Sequence, residues 1–350
     1  MPMPDLAEAG SASDELPDKL VGNGAVVPLV AKRLFIVTTG LDYGGAEIQT
    51  VALAKAFRQR GWEVRLASLM PPLAFADELH ALGIAIDSFG VQRDHRPGFQ
   101  LIRQLRKAIK AFNPDIIHSH TVHSNLLSRF ARPLFYKAPL VCTAHSIYEG
   151  SKWRSWLYRI SDHRCSVTTQ VSRVGIEHAV KDGRARRERM RYIPNGIDLG
   201  RFRVADNSGA KLRAELGLAD QFVWLTVGRQ ETPKDYPNLL QALAALDNSS
   251  VMLVVAGSGS LLAEMKSIAV SLNVNNSVLW LGDRSDIPEL MAMADAYVSA
   301  SAWEGLPMVL LEAGISCLPS VATDVGGCSD IVKQDASGLL VPPQNSEALA

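Results

Sequence analysis

Short apolar runs alternate with amphipathic stretches along nearly the whole chain, and each run ends in a polar or glycine-bearing turn. In the first half the runs at 33–37, 63–69, 84–86, 115–119, 140–143, 164–169 and 191–193 read as strands. Helical spacing fills 46–60, 98–111 and 123–132 between them. The second half repeats the pattern, with strands at 222–227, 251–256, 277–281, 296–301 and 339–341 and helices at 211–216, 237–246, 261–269 and 286–293. A strand followed by a helix and another strand cannot be a hairpin. It needs a crossover, and successive crossovers give parallel sheets covered by helices on both faces. The chain has 350 residues, more than one hydrophobic core organises, so the expectation is two α/β domains. They are placed at 31–198 and 221–350, joined by a mixed, charged linker at 199–220. Residues 1–30, rich in Ala, Asp, Gly and Pro, are expected to be a disordered leader.

Composition narrows the function classes. A formal net charge of +0 argues against a general nucleic-acid binder. No apolar run is long enough to cross a bilayer, and no secretory signal is visible. Cys142, Cys165, Cys317 and Cys328 have no metal-ligand spacing, so they read as reduced thiols and the expected location is cytoplasmic.

Open α/β sheets bind ligands beyond the carboxyl ends of their strands, so the polar turns there hold the candidates. The stretch from Asp295 to Cys328 has a strand, the turn Trp303-Glu304-Gly305, a helix and another apolar run. Pro307 is expected at the first helical position, with Met308, Leu311 and Ile315 on the apolar face. The free N–H groups at such a helix start offer a seat for phosphate, bracketed here by Glu304 and Glu312. Arg229 and Lys234, after the strand 222–227, are cations suited to a diphosphate; taken alone, a solvent-facing pair is the commoner explanation. His118 and His120 share a face at the end of one strand, and His145 follows another; substrate contact competes with simple packing. Metal binding by His118, His120 and His123 is disfavoured, since no carboxylate accompanies them. Gly44-Gly45 and Gly257-Ser258-Gly259 are weak phosphate signals, and Gly326-Gly327 reads first as a turn. The G-x-G-x-x-G fingerprint is missing after the first strand, which disfavours a nicotinamide enzyme. Trp153, Trp156 and Tyr158 lie among Lys152, Arg154 and Arg159, and a basic run follows at Arg184, Arg186, Arg187, Arg189 and Arg191. Together they suggest an anionic membrane surface, with solvated helix faces as the plainer alternative.

In order, these residues resemble the retaining glycosyltransferase family of GT-B architecture (glycosyl transferases group 1, family 4). That family includes bacterial polysaccharide and lipopolysaccharide glycosyltransferases. The resemblance runs from about Arg33 to Pro343. It rests on Gly44-Gly45-Ala46-Glu47, His118-Ser119-His120, Pro194-Asn195-Gly196-Ile197-Asp198, Gly228-Arg229 with Lys234-Asp235, Glu304-Gly305-Leu306-Pro307 with Glu312, and Ala322 to Gly327. It implies two Rossmann-like domains facing across a cleft, and transfer of a sugar from a nucleotide sugar, most often a UDP-sugar, with retention and without a bound metal or other cofactor. The acceptor is expected to be a saccharide or a lipid-linked one, the setting surface polysaccharide or glycolipid synthesis, peripheral on the inner membrane face. By position, Arg229 and Lys234 match the donor-diphosphate residues, with Gly228 beside them. Glu304 matches the carboxylate beside the donor sugar, Glu312 the one on the ribose, and Gly305 and Leu306 the backbone between. Gly44 and Gly45 border the phosphates, His120 matches the active-site histidine, and His118 and His145 fall on the acceptor side.

Two departures from the pattern matter. Cys317 stands where the family has a turn glycine, which is expected to strain that helix end, and Ser260 stands where proline is usual. The family also continues into terminal helices that cross back to the first domain, so the second domain is expected to be truncated at Ala350. A non-catalytic sugar-nucleotide binder is the alternative that follows.

Overall fold

The computed structural model describes residues 32–42, 44–92, 99–135, 138–147, 152–218, 220–246 and 250–350. The leader expected at 1–30 and residue 98 of the expected helix 98–111 lie outside them. Seven strands form the first sheet: β1 (Arg33–Thr38), β2 (Glu63–Ser68), β3 (Ala85–Ser88), β4 (Ile116–His120), β5 (Leu140–Ala144), β6 (Val167–Gln170) and β7 (Met190–Tyr192). The helices among them are α1 (Gly45–Gln59), α2 (Ala76–Ala81), α3 (Phe99–Phe112), α4 (Val122–Phe135), α5 (Lys152–Ser161) and α6 (Arg173–Lys181). After α7 (Ser208–Glu215), six strands form the second sheet: β8 (Phe222–Val227), β9 (Val251–Ala256), β10 (Val278–Gly282), β11 (Ala296–Ser299), β12 (Ser320–Thr323) and β13 (Gly338–Val341). Its helices are α8 (Tyr236–Ala245), α9 (Leu262–Ser271), α10 (Ile287–Met293), α11 (Met308–Ile315), α12 (Cys328–Ile331) and α13 (Ser346–Leu349).

Every strand pair within the two sheets is parallel, and the orders are β3-β2-β1-β4-β5-β6-β7 and β10-β9-β8-β11-β12-β13. The order therefore reverses between β1 and β4 in one sheet and between β8 and β11 in the other. Crevices open at such switch points. Central strands are buried on both faces, which is why β9 reads as the unbroken apolar run VMLVVA. In the second sheet, Leu225, Val254, Tyr297 and Ala322 pack with α10 and α11 on one side. Val251, Leu253 and Val298 pack with α8 and α9 on the other. Helix α7 lies on α10, where a Cβ on Gly209 would collide with the Ala292 carbonyl, and Arg213 binds Asp295 at 2.7 Å.

The two sheets meet carboxyl end to carboxyl end. Gly305, after β11, lies against the carbonyl of His145, after β5, and a Cβ there would collide with it. Gly327, after β12, is packed on Ser172, after β6. Arg173 donates its backbone N–H to Asp330 at 2.9 Å, and Gln49 Nε2 lies 3.5 Å from Met308 Sδ.

Several local expectations need correction. Pro307 is the N-cap of α11 with ψ 107°, so the helix begins one residue later. Its buried residues are Leu310 and Ala313, while Met308, Leu311 and Ile315 are only partly covered. The helix is apolar almost all round, so spacing does not select a face. The basic run is not uniformly solvated: Arg184 is buried and donates to the Ile147 carbonyl at 2.9 Å, and Arg189 donates to that of Cys165.

The end of α11 bears out the strain expected at Cys317. Leu318 N–H bonds back to the Ala313 carbonyl and Cys317 N–H to that of Gly314, which closes a Schellman motif. Cys317 occupies the left-handed position with φ 54°, where a Cβ is costly and glycine is usual. Its side chain is exposed, so replacing it forfeits little packing. Cys317→Gly is therefore expected to stabilise the fold by about 1 kcal/mol, the left-handed cost less glycine's extra unfolded entropy. Chemical denaturation checks this, and an unchanged or lower midpoint contradicts it.

Beside the first switch point the core holds imidazoles. His118 and His120 both point to one face of β4, with ring centroids 4.1 Å apart. His145 stacks on His120 at 5.3 Å. Burial holds all three neutral, pushing His118 down to about 3 and His145 to about 4 and lowering His120 as well. The unfolded chain takes up protons below its ordinary histidine value near 6.5, and the folded chain refuses them. Stability is thus intact above pH 6.5 and falls as the pH drops toward the folded values, by about 1 kcal/mol per ring at pH 5.5. Denaturant midpoints at pH 7.5 and 5.5 test this; equal midpoints contradict it.

Candidate active site

On the second domain, the site is two loops fastened together. The loop after β8 carries Gly228, Arg229 and Lys234 and leads through a left-handed Asp235 (φ 46°) into α8. The loop after β11 carries Glu304, Gly305 and Leu306 and leads into α11. Ala302 N–H donates to the Pro233 carbonyl at 2.9 Å, and Lys234 Nζ donates to Glu304 Oε1 at 2.6 Å. Ser301 Oγ adds a second donor to the same carboxylate oxygen at 2.8 Å, and Thr323 Oγ1 holds the Ser301 carbonyl at 2.6 Å. The Lys234–Glu304 pair is only partly exposed, so its position is set rather than diffuse. A Cβ on Gly228 would stand 3.2 Å from Lys234 Cε, so the bare backbone makes room for the lysine stem.

Glycines set the close approaches. Gly326 (φ +61°) tucks under the Glu304 carbonyl, and Gly327 N–H donates to that of Gly305 at 2.8 Å. The Gly326-Gly327 turn therefore grips the Glu304–Gly305 loop, a role its sequence does not announce. Gly257 and Gly259 are packed on the backbone of Gly228 and Gln230. Ser260, at a position usual for proline, binds both carboxylate oxygens of Glu231, through its N–H at 3.0 Å and its hydroxyl at 3.1 Å.

The first domain supplies the facing wall. Gly44 precedes α1, and a Cβ on it would collide with the Glu47 carboxylate. A Cβ on Gly45 would stand 3.7 Å from Met308, so the glycine pair faces the start of α11. Burial raises the Glu47 carboxyl, and the positive charge of Arg229 across the cleft works against that rise. Arg229 itself is exposed. Gln49 holds Gly196 at both ends, accepting from its N–H at 3.0 Å and donating to its carbonyl at 2.6 Å. His118 Nε2 pairs with Thr143 Oγ1 at 2.7 Å, and His120 Nδ1 with His145 Nε2 at 3.0 Å.

The structure thus brings Gly44, Gly45, His118, His120, His145, Gly228, Arg229, Lys234, Glu304, Gly305 and Leu306 to one interface between the sheets. Glu312 stands in the second turn of α11, where burial raises its carboxyl and Arg201 lowers it. Glu47, Gln49 and Ser301 were not singled out from sequence. Glu47 stands in the glycine-pair motif, a usable signal, but nothing local marks the other two. Among the described residues no cluster of metal-ligating side chains is present. The combination can hold an anion against the exposed Arg229.

Comparison with known proteins agrees with this geometry. Residues 43–201 match the model described as Glycosyltransferase Family 4, and residues 210–350 that described as Glycosyl transferases group 1. The chain is 30% identical to the D-inositol 3-phosphate glycosyltransferase of Actinosynnema mirum, over 86% of this chain and 80% of that protein. It is 28% identical to the UDP-Gal:alpha-D-GlcNAc-diphosphoundecaprenol alpha-1,3-galactosyltransferase of Escherichia coli, over 68% of this chain and 65% of that one. Among solved structures it resembles Anabaena HepE in complex with UDP and glucose, with a TM-score of 0.82, 25% identity and coverage of 91% and 88%. Two parallel sheets meeting at their switch points and family models matched in both halves lead to one conclusion: the chain belongs to the group 1 glycosyl transferases and is a glycosyltransferase of GT-B fold.

Proposed function

We propose that the protein is a retaining hexosyltransferase that moves a sugar from a UDP-sugar to a saccharide or lipid-linked acceptor in bacterial surface polysaccharide or glycolipid synthesis. The observation that carries the reading is the Lys234–Glu304 pair at 2.6 Å, on the same loop as Arg229, whose charge acts across the cleft on Glu47. Arg229 and Lys234 neutralise the charge that grows on the departing diphosphate, so the chemistry does not call on a metal. Glu304 addresses the donor sugar and Glu312 the ribose, with Gly305 and Leu306 between them. His120 faces the sugar and acceptor, with His118 and His145 behind it. The bond from the anomeric carbon to phosphate oxygen breaks as the bond to the acceptor oxygen forms on the same face. The acceptor proton passes to the leaving phosphate, so charge and protons balance. HepE was solved with UDP and glucose, and the Escherichia coli relative carries UDP-Gal in its name; these support the donor class.

The same reading places the enzyme at an anionic membrane, peripheral on its cytoplasmic face. Helix α5 buries Tyr158 and Ser161 and leaves Trp153 and Trp156 59% and 58% exposed, with Ile160 on the same outer side. Lys152 and Arg159 are exposed beside them, and the Arg159 guanidinium reaches the turn at Gly183 that leads to exposed Arg186 and Arg187. Indole rings and basic side chains on one face suit the headgroup region of an anionic bilayer. Among the described residues no helix is long and apolar enough to cross a membrane. Arg154 acts electrostatically on His123, at the start of the helix that follows His120, so α5 starts near the acceptor side.

Two experiments test these readings. Release of UDP from UDP-sugars with lipid-linked and saccharide acceptors should yield a product of the donor's anomeric configuration. Lys234→Ala and Glu304→Gln should each lower kcat at least about a hundredfold with the fold intact; wild-type rates in both defeat the site. Trp153→Ser combined with Trp156→Ser should abolish co-sedimentation with vesicles containing phosphatidylglycerol, leaving UDP binding unchanged. Undiminished sedimentation of that variant, or none of the wild type, defeats the membrane assignment.

A further inference from the structure

We infer that Gln49 is a positioning residue, a clasp on the crossing between the two domains that holds the glycine-pair wall against the start of α11. The clasp rests on the transfer site proposed above and adds the residue that sets its two walls together. Among the described residues the chain passes from the first sheet to the second once, through the turn 194–198. Ile193 makes the last backbone bond to the first sheet, its N–H donating to the Gln170 carbonyl at 3.1 Å. Backbone bonding resumes where Arg201 N–H reaches the Asp198 carbonyl, in the 3₁₀ helix Leu199–Phe202. Between these points the backbone of 194–197 bonds to no other backbone among the described residues. Gln49, on α1, supplies the missing pairing. Its Nε2 donates to the Gly196 carbonyl at 2.6 Å, and its Oε1 accepts from the Gly196 N–H at 3.0 Å. A side-chain amide carries donor and acceptor together, so it pairs with a peptide unit as a neighbouring strand would.

The same Nε2 lies 3.5 Å from Sδ of Met308, the first residue of α11. Three bodies therefore meet at one side chain: α1, the crossing and the helix that bears Glu312. One turn earlier on α1, a Cβ on Gly45 would stand 3.7 Å from the same methionine. Beyond the turn, the helix Leu199–Phe202 buries Phe202 and lies on α11, where the charge of Arg201 acts on Glu312. A glycine-bearing segment without backbone bonds of its own is the kind that absorbs rotation when domains open and close. Opening admits the donor and releases the spent diphosphate, and closing completes the site. By fixing Gly196 on α1, Gln49 fixes the direction in which the crossing leaves for α11, and so favours the closed arrangement. Two neutral hydrogen bonds shift such an equilibrium by about tenfold.

The test uses the full chain, with a UDP-sugar and acceptor that the wild type turns over and Lys234→Ala does not. Gln49→Leu is close in volume and suits a helix, but it makes no hydrogen bond. It should lower kcat about tenfold, with donor KM and UDP affinity within about threefold of wild type, because the donor is held by the second domain. X-ray scattering of the UDP-bound variant should give a larger radius of gyration than the wild type. Hydrogen exchange should quicken at 194–202 while β1 and β4 stay protected. Gln49→Asn, one methylene too short to span to Gly196, should behave in the same way. Wild-type kcat in either variant, a UDP affinity that falls as far as kcat, or slowed turnover with unchanged scattering each overturn the clasp. Should Gln49→Leu fail to fold in a thermal melt, Gln49→Asn carries the comparison. Full activity of Lys234→Ala would instead remove the proposed transfer site, and scattering and exchange would still decide whether Gln49 holds the domains.

Discussion

The whole site depends on glycine backbone pressed against the opposite domain across the cleft. Gly305 meets the His145 carbonyl, and Gly327 meets Ser172. A Cβ at either glycine would stand closer to the opposite domain than contact allows, so the sheets would have to part. The contact also explains where the two domains touch. In each sheet the strand order reverses once, between β1 and β4 and between β8 and β11, and the glycine contacts join the ends of β11 and β12 to those of β5 and β6, on the β4 and β11 side of the reversals. The crevice of one sheet becomes the lid of the other.

The two walls differ in electrostatic character. On the first domain three packed imidazoles are kept neutral by burial, so that wall offers hydrogen bonds and little charge. On the second, Arg229 is exposed, and Lys234 and Glu304 form a partly covered ion pair. Such a pair is weak evidence for stability, because desolvating both partners offsets much of their attraction. Its value here is positional. Ser301 and Thr323 extend it into a chain of hydrogen bonds that ends on β12, so the carboxylate is aimed by the sheet itself.

Much of this was legible in the sequence, and what escaped has physical reasons. β9 occupies the very span that its apolar run marks, because a central parallel strand is buried on both faces and has little other way to read. The polar turns at strand ends were found for the same reason. Helix α11 misled because Leu310, Leu311 and Val309 surround it with apolar side chains, and only packing on the sheet picks out Leu310 and Ala313. The pairing of His120 with His145 needs β4 and β5 side by side with His120 opposite Thr143, a register that no local pattern encodes. Arg129 is a sharper case. It lies on an amphipathic helix among basic neighbours, yet it is fully buried, bonded to Thr168 at 2.7 Å and lying over the Tyr158 ring at 4.6 Å. Charge alone places an arginine at the surface; only the gap between α4 and α5 shows why this one is inside.

The same pair settles a conflict that the sequence raises. A carboxylate beside a diphosphate is repulsive, which makes Glu304 an odd companion for Arg229 in a donor site. In the structure Lys234 stands on Glu304, so the lysine and glutamate together carry no net charge and Arg229 remains as the exposed cation. Under the proposed function, an entering diphosphate competes with Glu304 for the Lys234 ammonium. On that proposal the lysine would turn to phosphate and the carboxylate would be released toward the sugar, where charge develops during transfer. On that proposal, the anion that would be repelled by a bare glutamate is what would free that glutamate to act.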